Sequence, residues 1–179
     1  MDPIEQFKFE VSQNIALQGK DKALHDLGIK FMQATMPYKY SYNFRWMGRP
    51  IIQFPQDMVA MQEIIWDVKP DLIIEMGIAH GGSVIFYASM LELLGGEGRV
   101  VAVDIDIRKH NRAEIEKHPM AKRITMIEGS SIDESIAEQV RASVKDGMKV
   151  LVVLDSHHTH DHVLEELRLY SPLVTKGGY

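Results

Sequence analysis

The sequence predicts an α/β domain built on a doubly wound parallel sheet, with a helical extension ahead of it. Three observations carry that reading. Four short, β-branched apolar runs, LIIEM (72–76), VVAVD (100–104), ITMIE (124–128) and VLVVLD (150–155), read as strands covered on both faces. Helix-length segments follow them at 83–94, 108–117, 133–145 and 161–170, so strand and helix alternate. Acids stand at or close to the strand ends: Glu75, Asp104, Glu128 and Asp155. An open parallel sheet places its binding crevice at those ends.

The elements follow in order along the chain. Residues 20–34 set Leu24, Leu27 and Phe31 at helical spacing and predict an amphipathic helix. The next segment, MPYKYSYNFRWMGRP (36–50), is irregular and aromatic. Its Tyr38, Tyr40, Tyr42 and Trp46, with Arg45 and Arg49, form either a wall for a ring-shaped acceptor or a packing surface. Packing onto the sheet, or a subunit contact in a homo-oligomer, is the favoured reading of the two. Pro55 sits where a first helical turn tolerates it, and Val59, Ile64, Ile65 and Val68 continue an apolar face to Pro70. The extension is therefore assigned to residues 1–54 and the sheet domain to 55–179. GGEG closes the helix at 83–94, and SSIDE leads into the one at 133–145. Right-handed crossovers then put the crevice at the carboxyl ends of the first and fourth strands. In SPLVTKGGY, Gly177 and Gly178 read as the turn leaving a helix and Tyr179 as the first residue of a fifth strand. The sheet domain is expected to be incomplete there, and this chain alone to be catalytically poor.

Composition narrows the function. Twenty basic against 25 acidic residues give a net charge of −5, which argues against a protein that tracks a nucleic-acid backbone. The absence of cysteine excludes disulfides, thiolate nucleophiles and Cys-ligated zinc. The start MDPIEQFKFE lacks the basic-then-apolar layout of a signal peptide, and no apolar run approaches the roughly 20 residues of a membrane span. A cytoplasmic protein is expected.

The turn EMGIAHGGS (75–83) joins the first strand to its helix. So many small residues let a ligand approach the main chain. Gly77, Ala79 and Gly82 fall at the positions of G-x-G-x-x-G, with alanine at the second, where its methyl would crowd a pyrophosphate. No Lys or Arg lies between Glu75 and Leu94, and Glu75 would repel phosphates. A cationic nucleoside such as S-adenosylmethionine fits this better than NAD. Asp104 can accept from both ribose hydroxyls, with Asp106 able to share the task, but it does not choose between those two cofactors.

Glu75-x-Gly77-x-x-x-Gly81-Gly82-Ser83, Asp104 in VVAVDID, EGSS at 128–131 and LDSHHTHDHV at 154–163 together resemble the cephalosporin hydroxylase/rhamnosyl O-methyltransferase family. More distantly they are similar to catechol O-methyltransferase-type enzymes. The resemblance spans roughly residues 44–179 and implies a Rossmann-like methyltransferase fold with S-adenosylmethionine as cofactor. It implies that Glu75, Gly77 and Ser83 line the methionine end, that Asp104 binds ribose, and that Ser131 lies near the adenine; Ala79 and Gly82, in the same turn, are also expected to bind the cofactor. It implies Asp155 as a ligand of a divalent metal, magnesium, with further ligands beyond the fifth strand that no residue here supplies. His158 matches the place of a basic residue in the catechol enzymes, and an imidazole there suits proton removal. The expected reaction is methyl transfer to a hydroxyl of a sugar or secondary metabolite. A nucleotide-dependent oxidoreductase and a non-catalytic scaffold are the alternatives.

Four histidines in six residues (His157, His158, His160 and His162) also raise zinc, but no recognised ligand spacing is present. His157, His160 and His162 are expected in solvent, with Asp161 or Thr159 capping the last helix.

Overall fold

The four apolar runs form one parallel sheet, in which the two central strands are buried as expected while the run at 124–128, at an edge, has no buried residue. In the computed structural model, which describes residues 2–179, they are β3 (Leu72–Met76), β4 (Arg99–Asp104), β5 (Ile124–Glu128) and β6 (Val150–Leu154), each within a residue of its expected bounds. They lie in the order β5-β4-β3-β6, all parallel, with Ile73 beside both Val100 and Leu151. The chain thus leaves β3 in one direction and later returns to its other side. That reversal is the switch point where such sheets bind ligands.

Alternation along the strands sorts the core into two layers. Ile73, Val100, Ala102 and Leu151 pack on one face, with α3 (Pro55–Val68), α4 (Gly82–Leu94) and α5 (Lys109–Glu116). Leu72, Ile74, Met76, Val101 and Val103 pack on the other, with α6 (Glu134–Arg141) and α7 (His160–Tyr170). Helix α4 is apolar on nearly all sides because it is buried on nearly all sides, from Val84 through Leu91. Helix α6 is shorter than the expected 133–145. After Arg141 the ladder tightens to i→i+3 bonds at Ser143 and Val144. Beyond α7 the chain turns back, and the Val152 N–H donates to the Tyr179 carbonyl (3.0 Å), beside the outer edge of β6.

Inside the aromatic segment the structure adds a hairpin, β1 (Phe44–Trp46) and β2 (Arg49–Ile51). Met47 and Gly48, both at positive φ, make the tight turn that a right-twisted hairpin needs. Trp46 meets Phe86 edge-on at 4.9 Å and donates its indole N–H to Ser89 Oγ (3.1 Å). This tie to α4 places residues 41–54 with the sheet. The chain divides into two units between Tyr40 and Ser41, earlier than the expected boundary at Pro55.

The first unit holds two helices. The first, α1 (Pro3–Gln18), was not expected; its signal is Asp2, whose Oδ1 accepts the Ile4 N–H, followed by proline in the first turn. The second, α2 (Lys22–Thr35), is capped in the same way by Asp21. Neither helix has a buried residue. Among the described residues, no helix is long and apolar enough to cross a membrane.

Candidate active site

The turn from β3 to α4 is held by side chains far away in sequence. Ile78 and Ala79 donate their N–H groups to Asp104 Oδ2 (2.8 and 3.1 Å), and Asp106 donates its N–H to Oδ1 (3.1 Å). Asn111 donates to the Ala79 carbonyl (2.8 Å), while Arg49 donates twice to the His80 carbonyl and once to Asn111 Oδ1. Asp104 therefore has a second task beyond the expected contact with ribose. Three main-chain amides already use part of its acceptor capacity, leaving Oδ1 the freer oxygen. Asn111 was not singled out from the sequence, and Arg49 was weighed only with the aromatic segment. Their partners lie 31 and 32 residues away, beyond any local pattern.

Glycine is required at two positions of the turn. A Cβ on Gly77 would lie 2.1 Å from the Asp155 carbonyl oxygen, and one on Gly82 would lie 2.1 Å from the Pro50 carbonyl oxygen. The main chain of β3 thus touches the main chain after β6, and the start of α4 touches β2. Ala79, by contrast, is exposed and adopts a left-handed conformation with φ 46°. That conformation is strained for an L-residue and typical of ligand-facing turns. Replacing Ala79→Gly is expected to raise the unfolding free energy by about 0.5–1 kcal/mol in urea denaturation. An unchanged or lower value would show that the methyl group packs usefully.

Three adjoining cavities meet at Asp155. The largest, about 540 Å³, opens over the carboxyl ends of β3, β4 and β6 and is lined by Gly77, Ala79, Asp104, Ser131, Asp155 and His162, among others. The second, about 280 Å³, is lined by Gly82, Ser83, Gln53, Tyr42, Asp155 and His158. The third, about 340 Å³, runs past Gln53, Asp57 and Tyr87 to Asp155. The expected site residues Gly77, Ala79, Gly82, Ser83, Asp104, Ser131, Asp155 and His158 are therefore brought together. Glu128 is not: it is exposed and pairs with Arg112 at 3.1 Å. Of the side chains weighed in the aromatic segment, Tyr42 lines a cavity, while Trp46 packs against α4 and Arg49 hydrogen-bonds the turn.

Glu75 lies under the turn rather than on a cavity wall. It shares the face of Ile73, is fully buried, and neither carboxylate oxygen has a hydrogen-bond partner. Burial pushes its pKa well above the usual carboxylate range. The nearby Ser83 hydroxyl opposes that rise without reaching bonding geometry, and Asp155 and Asp104 add to it. The Tyr87 hydroxyl and Gln53 Oε1, on the same side of the sheet, are also buried and unpartnered. Burial and the charge of Glu75 push the Tyr87 pKa upward. A buried carboxyl with four open lone-pair sites is costly unless a donor or a cation arrives.

Asp155 is half-exposed, and desolvation raises its pKa against the lowering pull of His158. His158 Nε2 stands 3.3 Å from Asp155 Oδ1. Among the described residues, no group of three or more His, Asp or Glu side chains is arranged to hold a metal ion. Asp155 thus contributes one carboxylate, with the imidazole beside it. His160 is in solvent, as expected, next to a fully exposed Asp161. Thr159 occupies the N-cap position of α7, but its side chain makes no capping bond. The expectation for His162 is corrected: its side chain is largely buried, and Nε2 contacts Ser131 Oγ, Ser156 Oγ and Glu166 Oε1. The i,i+4 spacing of His162 and Glu166 on an expected helix was the available signal.

Comparison with known proteins bears on the family and the fold. The pattern of the family described as Rhamnosyl O-methyltransferase/CmcI matches residues 38–179. A curated rhamnosyl O-methyltransferase of Mycobacterium leprae (strain TN) is 34% identical over 135 residues, covering 75% of this chain and 57% of the relative. The chain therefore spans a little over half the length of that relative. Among solved structures, an apo form of CmcI superposes with a TM-score of 0.60 at 21% identity, over 76% of this chain and 55% of that one. A magnesium–SAM form of CmcI gives 0.56 at 18% identity, again over 76% and 55%. At these identities the structural matches speak to the fold: a parallel α/β sheet of the Rossmann-like methyltransferase kind.

Proposed function

The chain belongs to the rhamnosyl O-methyltransferase/CmcI family, and from that premise we propose that it carries the cofactor-binding part of a cytoplasmic S-adenosylmethionine-dependent O-methyltransferase whose acceptor is a sugar hydroxyl. The observation that carries the cofactor reading is Glu75. It is a fully buried, unpartnered carboxyl under a main-chain turn bare of side chains. A ligand ammonium brought to that turn would supply the missing charge. A diphosphate would worsen it, and Arg49, the cation beside the turn, already directs Nε and Nη2 to the His80 carbonyl and Asn111.

When bound, the cofactor supplies an electrophilic methyl group on a sulfonium. The chain's own residues position what reacts. Ser83 and the 77–82 main chain would hold the methionine end, the freer oxygen of Asp104 the ribose, and Ser131 the base. Asp155, at the meeting point of the cavities, would orient the acceptor hydroxyl, and His158 beside it would take the hydroxyl proton. A magnesium site is compatible with Asp155, because magnesium uses one or two carboxylates and keeps water and substrate oxygens for the rest.

Titration calorimetry tests the cofactor reading: heat is expected with S-adenosylhomocysteine and none with NADH. Heat from NADH alone would sink it.

A further inference from the structure

This inference rests on the cofactor reading and concerns how the nucleoside end of the largest cavity recognises its base. Three oxygens surround His162 Nε2: Ser131 Oγ at 3.0 Å, Ser156 Oγ at 3.2 Å and Glu166 Oε1 at 3.3 Å. Glu166 is fully buried, and its Oε1 accepts the Ser156 hydroxyl at 2.6 Å. Ser156 has one hydrogen, and the carboxylate takes it. Toward His162, Ser156 then offers only lone pairs, as does the carboxylate itself. Two acceptors facing one ring nitrogen require that nitrogen to carry the proton, in the neutral Nε2–H tautomer and in the imidazolium alike. Ser131 Oγ, on the same nitrogen, becomes an acceptor of the shared N–H, and its own hydrogen is left over. From the far end of α7, the Tyr170 hydroxyl donates to the Ser131 carbonyl at 2.6 Å, fixing the main chain at that residue.

We infer that the Glu166–Ser156–His162 network presets the Ser131 hydroxyl as a hydrogen-bond donor into the nucleoside cavity, so that this end selects a base with an unprotonated ring nitrogen. His162 is a positioning residue that acts through Ser131. It is not part of a proton relay, because the carboxylate and both hydroxyls meet the same ring nitrogen. Adenine satisfies the requirement, since none of its ring nitrogens open to contact carries a hydrogen. A base protonated at the contacted position would set donor against donor.

The test is calorimetric affinity for S-adenosylhomocysteine and its 1-deaza, 3-deaza and 7-deaza analogues, each lacking one ring nitrogen. Wild type is expected to bind one analogue about tenfold more weakly than the parent compound, the usual scale for one hydrogen bond. Ser131→Ala and His162→Leu are each expected to lose about tenfold for the parent and nothing further for that analogue. His162→Gln, which keeps an N–H donor, should restore most of the discrimination, and thermal melting reports whether each variant is folded. Equal losses for all four compounds, or no loss, would overturn the inference and leave the cofactor reading standing. No binding of S-adenosylhomocysteine by wild type would overturn the cofactor reading, and this inference with it.

Discussion

Gly77→Ala is expected to destabilise the sheet domain by about 2–5 kcal/mol, the sum of a left-handed alanine and an overpacked main-chain contact. Gly77 has φ +107°, and its added Cβ would stand 2.1 Å from the carbonyl oxygen and 2.7 Å from the carbonyl carbon of Asp155. Neither neighbour is the end of a flexible side chain, so relief requires β3 and the β6–α7 connection to separate. Both segments border the cavities that share Asp155. The variant should therefore lose S-adenosylhomocysteine binding even where it remains folded. Gly147→Ala is the matched control: it also has positive φ, +81°, but an added Cβ meets nothing within 4 Å. It should cost only about 1 kcal/mol. Urea denaturation of both variants separates the two contributions. Equal costs would mean that the strand ends are not in main-chain contact, and the tight cradle would have to be abandoned.

The sheet was legible because short β-branched apolar runs mark strands, although burial on both faces holds for β3 and not for β5, an edge strand with no buried residue. The runs at 72–76 and 124–128 needed no correction at either end. The strand-end acids were legible as a set, but their tasks were not. Asp104, expected to hold a ribose, also clamps the turn amides, and Glu75, expected at the ligand, lies beneath the turn. Sequence shows that an acid stands at a strand end; it does not show on which side of the wall the carboxylate lies. Arg49 illustrates a second limit. It was weighed with an aromatic segment because its neighbours are aromatic, yet its bonds go to residues 31 and 62 positions away. The hairpin escaped notice for a local reason: its turn is Met47-Gly48, without the Asn or Asp that usually marks such turns.

The placement of Glu75 makes stability depend on pH with a sign unusual for a carboxylate. Its pKa in the folded protein is raised well above the ordinary 4.5, chiefly by burial. The folded state therefore holds a proton that the unfolded chain has released, and stability must fall as pH rises from about 4.5 through the raised value. The stabilisation is fully present below that window and absent above it. Asp155, also raised by desolvation, adds a weaker slope of the same sign. Glu92, Asp133, Glu134 and Glu165 are shifted downward by their partners, so their contribution is lost only as pH falls below the ordinary carboxylate range. Glu75→Gln leaves those groups untouched, and the difference between variant and wild type isolates Glu75. At pH 8 and without ligand, the variant is expected to be more stable by about 2 kcal/mol, the scale of removing an unpaired buried charge. Below pH 4.5 that advantage should vanish. The same variant is expected to bind S-adenosylhomocysteine roughly 30-fold more weakly, because the negative charge beneath the turn no longer attracts the ligand ammonium across it. Bound ligand should also flatten the pH slope of the wild type, since a neighbouring ammonium draws the Glu75 pKa back down. Denaturation curves from pH 4 to 9, with and without S-adenosylhomocysteine, measure all of these at once. A wild-type slope that the ligand does not flatten would show that no positive charge comes near Glu75, and the cofactor would have to be one without an ammonium.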